Sequence, residues 1–253
     1  MSGTVNSLIS GVDPLPVLSP VLSPVLSIVI PALNCAAPLD QTLAAIAKPA
    51  AAAGWPILVV DGGSVDGTIA VAHRHRVRTI SAARGRGRQL AAGADASMAE
   101  SGAEWLFFLH ADSIPEPGWQ ETVTAFIAEP GNRERAGYGR FALDDPAPAA
   151  RRLEAMVAWR CRRFGLPYGD QGLLIHRSLY QSVGGFPAFE LMEDVALVRR
   201  IGAARLSGLP MVVTTSAERY RRDGYVRRPL RNLGCLGLYL IGVPPPAIRR
   251  LYG

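Results

Sequence analysis

The sequence predicts an α/β domain in which a mostly parallel central sheet is flanked by helices. Three observations carry this. Short uninterrupted apolar runs, Leu26 to Ile30 (LSIVI) and Ile57 to Val60 (ILVV), have the length and β-branched content of strands buried on both faces. Between them, Pro38 to Ala53 is alanine-rich and carries Leu39, Leu43 and Ile46 at helical spacing. The same strand, helix, strand order then repeats, and a strand that returns through a helix pairs in parallel with its predecessor.

Taken in order, Pro31 closes the first run and Asp61-Gly62-Gly63 closes the second. Thr68 to His75 reads as a helix and Val77 to Ile80 as a strand. Gln89 to Ala99 is again helical, and Trp105 to Leu109 (WLFFL) is a further core strand that runs into His110-Ala111-Asp112. Later elements are less regular. A helix is expected near Gly118 to Ala128, a strand over Tyr138 to Leu143, and an arginine-rich amphipathic helix over Pro148 to Phe164. After Gly169 follow a strand (Leu173 to His176), a short helix, a Gly184-Gly185 turn and a helix from about Met192 to Ile201. No linker composition interrupts this series. One domain is therefore expected over residues 25–225, after a proline-punctuated flexible leader (1–24) and before a basic, apolar tail (226–253).

Composition removes several classes. With 253 residues and 49% hydrophobic side chains, the chain has material for a substantial core. Three cysteines, Cys35, Cys161 and Cys235, form no CxxC pair, which argues against a disulfide framework and a zinc ribbon and favours a reducing, cytoplasmic setting. No apolar stretch approaches the ~20 residues of a membrane-spanning helix. The net charge of +6 is uneven: from Arg219 onward there are eight arginines and one acidic residue. Such a tail suits a diphosphate, an anionic membrane face or nucleic acid, or a solvated surface covered by arginine stems; of these, no nucleic-acid partner is expected.

Four constellations sit where strands end. Asp61-Gly-Gly-Ser-Val-Asp66-Gly-Thr68 follows a buried strand, so its glycines let backbone approach a ligand and its carboxylates can accept from a base or ribose; an ordinary turn with a Thr cap reads the same way. His110-Ala-Asp112 places a carboxylate at a strand terminus, a ligand type suited to Mg²⁺ or Mn²⁺, or a plain loop acid. Glu193-Asp194 opens a helix, where the macrodipole alone would stabilise it; opposite a sugar carbon the same group takes a proton from a hydroxyl. Arg84-Gly-Arg-Gly-Arg88 precedes a helix and offers guanidinium forks to phosphate, but it lacks the third glycine of a dinucleotide fingerprint. P-loop, GxSxG and HExxH motifs are absent from the sequence.

In their order, these segments resemble GT-A glycosyltransferase family 2 over roughly residues 25–225. SIVIPALN is similar to the family's first strand and nucleotide loop, DGGSVDGT to its D-[DG]-G-S-x-D-G-T turn, and LHAD to its DXD-type metal motif. Farther on, GDQGLLIHRSLYQSVGGF is similar to the acceptor-side strand and GGF turn, and LMEDVALVRRI to the ED motif. FLHADS, PYGDQG and LMEDVxLVRR most resemble a small soluble bacterial branch. The resemblance implies a GT-A-like nucleotide-binding domain, a UDP- or GDP-type sugar donor and a Mg²⁺ or Mn²⁺ ion. It implies Asp194 as catalytic base with Glu193 in support, and Pro31, Asn34, Asp61, Gly62, Ser64, Arg84, Arg88 and Ala111 around the nucleotide. Asp112, with His110 in the place of the first DXD acid, would face the metal. Asp170 and Gln171 would line the sugar or acceptor pocket, and Arg219 and Arg222 would steady diphosphate. Two departures stand out: Ala91 replaces an asparagine, and the processive QxxRW motif is absent.

The expected activity is metal-dependent, inverting transfer of a sugar to a hydroxyl. A sugar-phosphate nucleotidyltransferase and a binding module without turnover are its rivals. The nucleotidyltransferase would begin with a glycine-rich loop where Pro31-Ala-Leu-Asn34 stands. Pro229 to Tyr252 is expected either to pack on the domain or to lie on an anionic membrane, at its inner face, near a lipid-linked acceptor.

Overall fold

The computed structural model describes residues 25–252; the leader expected over residues 1–24 lies outside them. Its first half is a run of parallel units: β1 (Leu26–Ala32), α1 (Ala36–Ala52), β2 (Ile57–Asp61), α2 (Thr68–Arg74), β3 (Arg78–Ser81), α3 (Arg86–Glu100) and β4 (Trp105–Phe108). Strands β2 and β4 flank β1, both parallel to it, and β3 lies outside β2. Successive side chains divide between two cores, as strand geometry requires. Leu26, Ile28 and Ile30 of β1 and Trp105 and Phe107 of β4 pack with Leu39, Leu43 and Ile46 of α1. Val29, Leu106 and Phe108 face the other way, onto Leu90 and Ala94 of α3.

Pro31 does not end β1, which runs on to Ala32. Pairing with β4 stops at Val29 and Phe108, so the amide hydrogen that proline lacks would have pointed past the ladder.

The second half comprises β5 (Ser113–Pro115), α4 (Trp119–Ala128), β6 (Ala136–Leu143), α5 (Pro148–Phe164), β7 (Leu173–His176), α6 (Arg177–Ser182), α7 (Glu193–Ile201) and β8 (Leu206–Thr215). Three further helices close the chain: α8 (Glu218–Asp223), α9 (Arg227–Leu240) and α10 (Pro245–Tyr252). The sheet order is β3-β2-β1-β4-β7-β6-β8-β5. Pairs β4–β7, β6–β7 and β5–β8 are antiparallel and β6–β8 is parallel, so the mostly parallel sheet expected from the sequence is parallel in its first half and mixed beyond β4.

That switch builds the site. Because β7 runs against β4, with Leu173 opposite Phe108, the turn before β7 lies beside the loop after β4. The end of β8 joins them through β5, where Thr215 pairs with Ser113. Loops at the carboxyl ends of β1, β2 and β4 thus meet the start of β7 and the end of β8, around the point where strand order reverses.

Candidate functional site

The site has two parts. The first is the pair of loops after β1 and β2, locked by short polar side chains. Asn34, at φ 48°, accepts from the Val65 amide through Oδ1 (2.9 Å), and its own amide donates to Ser64 Oγ (2.9 Å). The Cys35 amide donates to Thr68 Oγ1 (2.9 Å), and Asp66 Oδ1 accepts from the Thr68 amide (2.9 Å) and hydroxyl (2.5 Å). Asp61 is buried, and its carboxylate accepts from the amides of Gly63 (2.9 Å) and Ser64 (3.1 Å). Beneath these loops Gln89 of α3 donates to the carbonyls of Ala32 and Val60, each at 2.8 Å. A Cβ on Gly62 would sit 3.0 Å from that amide, so glycine is what admits the Gln89 clamp.

The second part gathers carboxylates. Asp194, in the first turn of α7, accepts through Oδ2 from the Gly169 amide in the turn before β7 (2.9 Å) and through Oδ1 from the Val195 amide (2.7 Å). His110 lies against the same Gly169: a Cβ there would collide with its Nε2 and lie 3.5 Å from Asp194 Oδ2. Behind them is a hole of about 20 Å³, walled by Phe108, Leu173 and Val198, with room for about one water. His110 is held neutral, first by burial and then by the positive charges of Arg86 and Arg219. Glu193 is buried; Arg86 Nη1 approaches its Oε1 at 3.4 Å, and its Oε2 has no hydrogen-bond partner. Burial raises the Glu193 carboxyl, Arg86 opposes this and the Asp194 charge adds to it.

Asp170 completes the cluster. Its carboxyl is pushed up to about 6, first by burial and further by the charges of Asp194 and Asp112, against the pull of Arg160 and Arg86. Its Oδ1 is buried without a partner. The folded pKa therefore lies above the ordinary aspartate value near 3.9. The stability this group contributes is complete below about pH 4 and is lost as pH rises through about 6. Asp170→Asn is expected to flatten that part of the Tm–pH curve and to raise stability at pH 7.5 by on the order of 2 kcal/mol. Superimposable melting curves of the two proteins from pH 4 to 8 would contradict the assignment.

The remaining residues singled out in the sequence are placed as follows. Ala111 is buried and its carbonyl accepts from Thr42 Oγ1 (2.8 Å); Pro31 lies within β1. Arg84 and Arg88 are exposed at the start of α3, with Arg88 donating to the Arg84 carbonyl and 3.9 Å from Glu190. The Arg219 charge reaches His110, whereas Arg222 is paired with Asp223 at 2.8 Å. Gln171 turns away from the pocket it was expected to line: it is buried, donates to the Gly139 carbonyl (2.9 Å) and accepts from the Tyr168 amide (3.2 Å). A buried amide is held by its partners, and here they are backbone groups of the fold together with the side chains of Arg160 (3.4 Å) and Cys161 (3.3 Å) on α5. Ala91 packs in the apolar layer behind the sheet. Two residues of α3 outside the expected site set have structural roles: Gln89 fastens the loops after β1 and β2, and Arg86, the middle arginine of the Arg84–Arg88 run, reaches Glu193 of α7. Gln89 left a faint signal, a polar side chain on the apolar face of α3 beside Leu90.

Among the described residues, no three His, Cys, Asp or Glu side chains converge on a point that would hold a metal. The Asp112 carboxylate, beside Asp170 at the open end of β4, fits the other common arrangement: one or two carboxylates, with substrate phosphates and water completing the shell. His110 turns its Nε2 toward Gly169, which leaves Asp112 as the better candidate.

Residues 27–142 match the family described as Glycosyl transferase family 2. No curated protein matches the chain significantly in sequence. Solved structures match in fold. The mannosyltransferase PcManGT from Pyrobaculum calidifontis, in complex with GDP-Man and Mn²⁺, is 18% identical with a TM-score of 0.59, over 92% of this chain and 69% of that one. Glucosyl-3-phosphoglycerate synthase from Mycobacterium tuberculosis is 18% identical (TM-score 0.55; 87% and 80%), and residues 1–349 of S. aureus TarS are 13% identical (0.57; 90% and 69%). The matched segment spans the interlocked loops and the strand leading to Asp112 and carries the sequence signature of glycosyl transferase family 2, on a fold shared with solved glycosyltransferases of GT-A architecture.

Proposed function

We propose that the protein transfers a sugar from a UDP- or GDP-linked donor to an acceptor hydroxyl, with inversion at the anomeric carbon and with Mg²⁺ or Mn²⁺. The observation that carries this reading is the meeting of Asp194, fixed by the Gly169 amide, with Asp112 and Asp170 at the end of β4. A structural neighbour bound to GDP-Man and Mn²⁺, and another bound to Mn²⁺ and UDP, support the donor class and the ion.

The residues divide the work. The Asn34, Asp61, Gly62 and Ser64 loops present backbone and side-chain acceptors to the nucleoside, and Asp61 keeps their shape. Asp112 would hold the ion, which supplies charge neutralisation to the departing diphosphate. Arg219, Arg84 and Arg88 would add positive charge toward the diphosphate, and Asp170 would face the sugar or acceptor. Asp194 takes the proton of the acceptor O–H; the oxygen forms its bond to the anomeric carbon as the bond to the diphosphate oxygen breaks, and that oxygen keeps the electron pair. A single displacement of this kind inverts the centre.

Thermal melting with UDP, GDP and their sugars, with and without Mn²⁺, tests the proposal. One nucleoside diphosphate at a hundredfold of its Kd is expected to add about 2.7 kcal/mol of stability only when the metal is present. Asp112→Ala is expected to remove the metal-dependent part. Equal stabilisation of the variant would remove the metal from Asp112, and stabilisation by no nucleotide would remove the donor class.

A further inference from the structure

The last helices have two contrasting faces. Inward, Cys235 and Leu236 of α9 and Ile248 of α10 are buried against Met192 and Val195, the residues that flank Glu193 and Asp194. Outward, Val226, Leu230, Leu233, Leu240 and Ile241 are between 47% and 78% exposed. Their spacing returns each of them to one side of α9, a stripe along all four turns. Gly234 and Gly237 lie beside it, and a Cβ on either would meet nothing within 4 Å. Isolated exposed aliphatics are ordinary on a protein surface, but a contiguous row of them is not.

A second exposed row lies on α5. Arg152, Met156, Trp159 and Arg163 recur every three or four residues, and Phe164 packs edge-on against Trp159 (5.3 Å between ring centroids). The opposite face of α5, through Leu153, Val157 and Cys161, packs with Tyr220 and Tyr225, which lead directly into α9. The exposed charges around the two rows are mainly basic, the acids Asp223 and Glu190 being paired with arginines of α8, α9 and α10. Arg152, Arg162, Arg163, Arg227 and Arg250 are exposed, no acidic residue follows Asp223, and the only acid of α5, Glu154, is nearly buried and paired with Arg151.

We infer that the outer faces of α9 and α5 dock on the headgroup layer of an anionic bilayer, with α9 lying in its plane. Aliphatic side chains of α9 enter the acyl boundary, Trp159 sits at headgroup level and the surrounding arginines face lipid phosphates. Charge selects this occupant over a second copy of the chain, since face-to-face pairing would set arginine against arginine. Among the described residues no helix is long and apolar enough to cross a membrane, so docking through these faces is peripheral and falls with salt. The site-bearing start of α7 rests on the inner side of the docked helix.

Flotation of the full-length protein with phosphatidylcholine vesicles, with and without 30 mol% phosphatidylglycerol, tests this at low and high salt. Binding is expected only to the anionic vesicles and is expected to weaken in 0.5 M NaCl. The double substitution Leu230→Glu with Leu233→Glu, at exposed positions, should keep the wild-type melting temperature and weaken partitioning by more than roughly tenfold. Trp159 is a built-in probe, because Trp55, Trp105 and Trp119 are all buried. Nitroxide-labelled lipid should quench the wild type and leave Trp159→Phe little changed. Absence of wild-type binding, or equal binding by the double variant, overturns the inference. So does concentration-dependent self-association that the double substitution abolishes without vesicle binding, which assigns the face to a second copy. Neither readout involves the donor, so failure here leaves the transfer reaction standing.

Discussion

Asp194→Asn is expected to lower kcat for sugar transfer by roughly 10²–10⁴-fold while leaving nucleotide-dependent thermal stabilisation unchanged. Asparagine keeps an oxygen where Asp194 Oδ2 now accepts from the Gly169 amide, so the contact between α7 and the turn before β7 survives. What it loses is the ability to take a proton, together with the second oxygen that now accepts from the Val195 amide. Were Asp194 present only to cap α7, through its bond to the Val195 amide, the substitution would cost a few tenths of a kcal/mol and leave turnover intact. Assay with an activated acceptor of lower hydroxyl pKa separates the two roles. A general-base defect shrinks with such an acceptor, and a folding defect does not. The neighbour supplies a contrast. Glu193 is buried, paired with Arg86 and raised by its surroundings, which makes it a positioning residue for Asp194. Glu193→Gln should reduce kcat less than Asp194→Asn does.

Much of this was written locally in the chain. β1, β2 and β4 are continuous apolar runs, and α5 and β7 fall at the expected residues because amphipathic period and turn chemistry agree there. β8, the ten-residue strand from Leu206 to Thr215, left no such trace, since Gly208 and Pro210 interrupt it and its burial alternates imperfectly around an irregularity opposite Tyr138 and Arg140. β5 has only three residues and exists because β8 pairs with it. The site divides the same way. Asp61, Asp112 and Asp194 stand in recognisable local contexts. That Asp170 feels the charge of Asp112 follows from β7 running against β4, a pairing no local pattern encodes. Gln171 is adjacent to Asp170 yet faces inward, because successive residues of a tight turn point in different directions. Arg86 was passed over for Arg84 and Arg88 because three arginines alternating with glycine look alike until the helix start fixes which one faces α7.

Gly87→Ala is expected to destabilise the protein by roughly 1–3 kcal/mol through overpacking and to lower kcat by up to about a hundredfold through displacement of the site. Three consecutive residues of α3 hold the segment between the Gly184-Gly185 turn and α7. The Gly87 amide donates to the Phe189 carbonyl (2.9 Å), Arg86 reaches Glu193, and Arg88 reaches Glu190, which Arg249 of α10 also contacts. A Cβ on residue 87 would collide with the Pro187 carbonyl and lie 2.7 Å from that of Phe189. Both are backbone atoms and cannot rotate aside, so the segment itself must move, and Glu193 and Asp194 follow it. The nucleotide loops are fastened separately through Gln89 to Ala32 and Val60, so donor affinity should be retained while kcat falls. Gly237→Ala supplies the control with opposite sign. That residue lies inside α9 with nothing within 4 Å of its would-be Cβ, and replacing an interior helical glycine by alanine gains about 0.5–1 kcal/mol. Thermal melts of both variants, with kcat and donor Kd measured on the same samples, decide the matter. A Gly87→Ala protein that melts and turns over like the wild type would mean that the segment before α7 moves freely of α3, and the coupling from Arg86 to Asp194 would fall with it.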